Sequence, residues 1–131
     1  MELVRAQDVI SLRRGGSESR QLLFPGNSSS TRVTITRVSL MPGQENAIHT
    51  HDTAEQIWHV LAGSAVLLLA GGRRENVRPG DTVRFSDGEE HGAINDGAEP
   101  FVYFSVTAPP LDFRPSYATG WGKPATANVE R

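Results

Sequence analysis

GQENAIHTHDTAEQIWHVLAG, residues 43–63, is the stretch on which the reading of this chain turns. In extended backbone, side chains two apart share a face, so His49 and His51 of His49-Thr50-His51 point the same way. Two imidazoles at that spacing can grip one ion. Neutral imidazole suits Fe, Mn, Ni or Zn. After a short turn, Glu55-Gln56-Ile57-Trp58-His59-Val60-Leu61 reads as the next strand. Paired with the first, it brings a side chain near its start close to the two histidines. Glu55 and Gln56 both stand there on opposite faces, so only one of them is a ligand. Trp58 and Val60 share the face of Gln56, whereas His59 lies on the other and reads as an outer-face histidine.

Outward from this stretch the punctuation is that of an all-β protein. Pro25-Gly26, Pro42-Gly43, Gly71-Gly72, Pro79-Gly80, Asp87-Gly88 and Asp96-Gly97 mark turns. Between them lie runs rich in β-branched and aromatic residues: 31–41, 56–61, 64–70, 82–86, 92–95 and 101–107. Gly71-Gly72 suits a two-residue hairpin, because such turns need positive φ. Many short strands with regular turns argue for a sandwich or barrel. Residues 1–30 hold two edge strands, around 8–12 and 20–24, and residues 109–131 read as an irregular tail. Phe113, Tyr117 and Trp121 are the side chains able to pin that tail to the barrel. The last of the four histidines, His91, follows the Ser86-Asp87-Gly88 turn. A closed barrel can bring so distant a ligand to the His49–His51 pair.

At this point the chain resembles the cupins. Their first motif is Gly, five residues, His-x-His, three or four residues, Glu, six residues, Gly. Here Gly43, His49, His51, Gln56 and Gly63 keep that spacing, with Gln in place of Glu. The second motif is Gly, five residues, Pro-x-Gly, two residues, His, three residues, Asn. Gly80, Ser86, Gly88, His91 and Asn95 keep it, with Ser86 in place of Pro. The resemblance covers about residues 33–108 and implies a double-stranded β-helix, or jelly-roll barrel, over a single domain of residues 1–131. It also implies one divalent metal ion on His49, His51, His91 and Gln56. Placing Glu55 there instead would leave seven residues before Gly63 and break the motif. Asn95 is expected to serve its turn, and Arg73-Arg74 to be solvated. Trp58, Phe85 and Tyr103 are the candidate substrate-binding side chains.

Composition narrows the function further. Acidic and basic residues are interspersed with a net charge of -2, so no nucleic-acid surface is expected. With no cysteine, there is no thiolate metal site and no thiol nucleophile. The charged start, MELVRAQDVISLRRGG, does not read as a signal peptide, and the longest apolar run, residues 65–70, cannot span a bilayer. A cytoplasmic protein is expected. Leu3, Val9, Ile10, Leu12, Leu22, Leu23 and Phe24 give residues 1–24 apolar content for a homodimer. An ion on three neutral imidazoles and an amide oxygen keeps its full charge, which favours an anionic or chelating small molecule. Two functions fit: a small-molecule metalloenzyme of dioxygenase, isomerase or lyase type, or a cupin that binds or senses a sugar or organic acid without turning it over. The alternative for the histidines themselves is a barrel that has kept its shape and lost its ion.

Overall fold

A computed structural model describes residues 1–119 and 128–130. The chain folds as two antiparallel sheets closed into a jelly-roll barrel. β1 (Ile10–Arg14), β2 (Ser17–Leu23), β3 (Thr34–Leu40), β5 (Glu55–Ala62), β8 (Thr82–Phe85), β10 (Phe101–Ala108) and β11 (Asn128–Glu130) form one sheet, in the order β11-β1-β2-β3-β10-β5-β8. β4 (Glu45–His49), β6 (Ala65–Leu69), β7 (Arg74–Val77) and β9 (His91–Ile94) form the other, in the order β4-β9-β6-β7. Alternation along the strands sends Val38, Leu40, Trp58, Val60, Leu67, Phe85, Phe101 and Tyr103 into one buried cluster between the sheets. No helix among the described residues is long and apolar enough to cross a membrane.

The hairpin at Gly71-Gly72 forms, and both glycines have positive φ, 70° and 75°. Its tip is Ala70–Gly72, closed by the Leu69 N–H donating to Arg73 O at 2.9 Å, so it is one residue longer than the two-residue turn expected. Gly63 ends the first motif for a steric reason. At its φ of 68°, an added Cβ would lie 2.2 Å from the Pro100 carbonyl oxygen.

One expectation needs correction. The tail beyond residue 108 is not irregular throughout: helix α1 (Arg114–Thr119) follows β10, and β11 pairs with β1. Phe113 and Tyr117 are buried against Leu12, with Leu111 and Ile10 packed alongside. This apolar cover fixes the helix, which is too short to show a period in the sequence. Trp121 lies outside the described residues. At the other end, Val9, Leu12 and Phe24 are buried within this chain itself, so their apolar character has an intramolecular explanation.

Candidate metal centre

β4 and β9 build the site. Asn46 pairs with Ala93, but His49 pairs with His91, so β4 carries one extra residue opposite β9. This bulge sits over Gly92, where an added Cβ would stand 2.6 Å from Asn46 O. The bulge has a consequence for side-chain direction. Residues three apart in a regular strand face opposite ways, yet Asn46 and His49 line the same cavity. The His-x-His pair does not lie in one continuous strand, as the sequence suggested. β4 stops at His49, and His51 begins the following turn, where its carbonyl accepts from the Ala54 and Gly88 N–H groups.

The three imidazoles nevertheless converge. Ring centroids are 4.9 Å apart for His49 and His51, 4.6 Å for His49 and His91, and 5.3 Å for His51 and His91. One ligand atom from each lies within 4.8 Å of the others. His49 Nδ1 meets Ala47 O at 2.8 Å and His91 Nδ1 meets Glu89 O at 2.9 Å. A carbonyl only accepts, so Nδ1 carries the proton in both rings and Nε2 keeps its lone pair. The Phe85 ring lies flat on His91, 4.2 Å away at an interplanar angle of 8°, and fixes its plane from behind.

Gln56 completes the set. Its Nε2 donates to Thr107 Oγ1 at 2.9 Å, and its Oε1 accepts from the Trp58 indole N–H at 2.8 Å. An indole N–H only donates, so the amide cannot flip. Oε1 then faces His91 Nε2 at 3.2 Å. Two lone-pair atoms meet there, both buried, with no proton between them unless His91 is charged. Burial pushes the His91 pKa down and holds the ring neutral. A cation between these acceptors resolves the repulsion, so the donor set fits a divalent metal ion. Glu55 is on the outer face, accepting from Arg84 Nε at 2.6 Å. His59 is also outside, with Nδ1 2.8 Å from Thr82 Oγ1. Asn95 holds its turn, donating to Leu40 O at 2.9 Å and Glu99 O at 2.8 Å.

Burial also pushes His49 down to about 3 and His51 down to about 4, with the neighbouring imidazoles adding to the effect. Between about pH 6.5, where an unfolded histidine titrates, and those values, the unfolded chain binds protons that the fold refuses. Stability of the metal-free protein is therefore unaffected by these groups above pH 6.5 and falls as pH drops below it. A loss on the order of 1–2 kcal/mol between pH 7 and 5 is expected in urea unfolding with EDTA, allowing for partial exposure. Replacing both residues with Asn should flatten that slope; an unchanged slope would assign it to other groups.

His49, His51 and Gln56 line a small cavity, part of it open to solvent, with His91 packed behind them. Trp58 and Tyr103 line it, stacked on each other at 4.1 Å. Phe85 does not, because its ring is taken up behind His91. Sequence reasoning missed much of the remaining wall: Ser19 from β2, Thr36 from β3, Asn46 from β4 and Ser105 from β10, with Phe113 and Tyr117 beyond. Alternation with Tyr103 along β10 was the available signal for Ser105, whereas Asn46 is an odd number of residues from His49 and alternation pointed it the other way. None of the described residues lining the cavity is Asp, Glu, Lys or Arg.

The family profile described as "Cupin domain" matches residues 36–107. The chain belongs to the cupin family. The match spans both motifs and all four converging side chains. This cupin is 26% identical over 111 residues to the oxalate-binding protein of Thermotoga maritima, covering 79% of this chain and 91% of that one. Among solved structures, it is 33% identical to a conserved Klebsiella pneumoniae protein with a double-stranded β-helix domain, over 62% of this chain and 66% of that one, with a TM-score of 0.60. The polyketide cyclase RemF from Streptomyces resistomycificus shares the fold at 24% identity, with a TM-score of 0.69 over 90% of this cupin and 91% of RemF.

Proposed function

We propose that this cupin holds one divalent ion on His49, His51, His91 and Gln56 and presents it to a small anionic chelator, acting as a metalloenzyme on that molecule. The observation that carries the reading is the meeting of Gln56 Oε1 and His91 Nε2 at 3.2 Å with both lone pairs turned inward. When bound, the ion supplies Lewis-acid polarisation, or dioxygen activation if it is iron. The chain's own residues do the rest. Trp58 and Thr107 hold the amide of Gln56 in one orientation. Phe113 packs edge-on to His51 at 5.7 Å and keeps water from that side. Tyr103 and Tyr117, their pKa values raised by burial, stay protonated and act as donors rather than bases.

Titration of oxalate into manganese-loaded protein and into EDTA-stripped protein tests the reading. Binding is expected only with the ion; equal binding without it would contradict the proposal. The absence of any carboxylate or lysine among the described residues of the cavity wall favours one alternative, a binder that does not turn its ligand over. The Thermotoga relative's name, an oxalate-binding protein, points the same way. Dioxygen uptake by the iron form with diketones, catechols or flavonols, or an absorbance change with uronates, would decide for catalysis.

A further inference from the structure

On the β10 side of the cavity, Ser105 is a polar side chain that nothing in the metal centre explains. It is 2% exposed and lines the cavity, yet its Oγ has no hydrogen-bond partner among the described residues. Buried hydroxyls are normally satisfied, because leaving one unmade forfeits its interaction with water. Ser105 stands opposite Thr36 on β3 and Trp58 on β5, and Thr36 lines the same cavity. Along β10 it is one inward repeat from Thr107, which anchors Gln56. That repeat places it about 7 Å along the strand from that anchor. Tyr117 closes the far side, with its OH 3.5 Å from Ser17 Oγ. Five hydroxyls, from Ser19, Thr36, Tyr103, Ser105 and Tyr117, thus line this cavity beside Val38, Asn46, Trp58 and Phe113, and none of the described lining residues is Asp, Glu, Lys or Arg.

We infer that Ser105 Oγ, beside Thr36, is a specificity-determining contact that binds an uncharged oxygen at the end of the ligand away from the ion. The inference rests on the metal centre proposed above and narrows its substrate class. The ligand is a small acid with a chelating head and a hydroxyl or carbonyl tail. A second carboxylate at the tail would meet no lysine or arginine among the described residues of this wall.

A matched four-carbon series separates these cases, because the 2-hydroxy-acid head is constant. 2-Hydroxybutyrate ends in a methyl group, 2,4-dihydroxybutyrate in a hydroxymethyl group and malate in a carboxylate. Metal content is measured first, then each acid is titrated calorimetrically into manganese-loaded wild type and Ser105→Ala. Wild type should bind 2,4-dihydroxybutyrate about 3- to 10-fold more tightly than 2-hydroxybutyrate, the worth of one net hydrogen bond. Ser105→Ala should erase that difference. The metal-free variant should also melt at the same temperature as wild type or higher, since it loses no contact within the fold.

Equal affinities in the wild type, or a preference that survives in the variant, would overturn the inference while leaving the metal centre standing. So would a clear fall in melting temperature, which would make Ser105 a structural hydroxyl. Malate binding most tightly, with that advantage lost in Ser105→Ala, would overturn the uncharged class. A protein that takes up no ion would overturn the metal centre, and this inference with it.

Discussion

Replacing His91 with alanine is expected to lower metal affinity at least a hundredfold. A structural zinc site with four ligands is worth about 10–16 kcal/mol, so one ligand carries roughly 3–4 kcal/mol. His91 is also buried, 1% exposed, and its ring is stacked on Phe85. Removing it leaves a void that costs about 2–4 kcal/mol of stability in addition. The two effects separate in a companion variant. His49 is only half-buried, so His49→Ala should lose metal with little loss of fold. Competition with a chromogenic chelator reads affinity, and urea unfolding reads stability. Undiminished affinity in both variants would remove the imidazoles from the site.

The second large effect concerns the residue that departs from the family's motif. Gln56→Glu should tighten metal retention at least tenfold, about 1.4 kcal/mol, because a carboxylate cancels one unit of the ion's charge. The local partners tolerate the change. The Trp58 indole can donate to a carboxylate oxygen, and the Thr107 hydroxyl can turn from acceptor to donor. Without metal the same carboxylate is buried, with only Trp58, Thr107 and a His91 ring that burial holds neutral beside it, so the stripped variant should be less stable than stripped wild type. The gap in melting temperature between metal-loaded and stripped protein should therefore widen. Equal retention in both proteins would show that Gln56 does not face the ion.

The sequence showed the ligands more clearly than the wall around them. Imidazoles and the motif glycines are conspicuous, and their spacing survives in the chain. Gln56 could be preferred over Glu55 because strand alternation is strict there, and the structure places Glu55 outside with Arg84. The β4 bulge was not legible. It depends on how closely Gly92 approaches Asn46, a contact between segments far apart in sequence. For the same reason Asn46 was missed as a cavity residue. Strand β7, Arg-Glu-Asn-Val, carries almost no apolar signal and owes its state to pairing with β6. Ser19, Thr36 and Ser105 looked like ordinary strand residues, and only the closed barrel turns them into a wall. Phe85 was legible as inward-facing but not as support for His91, because stacking is decided by the distance between two strands of different sheets.

Everything proposed for this cupin depends on one divalent ion being held by its three histidines and Gln56. Elemental analysis of purified protein without a histidine tag tests it most directly, since a tag would bring its own metal. Close to one iron, manganese, nickel or zinc ion per chain is expected, either as isolated or after incubation with the ion. Protein that stays empty after exposure to each of these ions would contradict it.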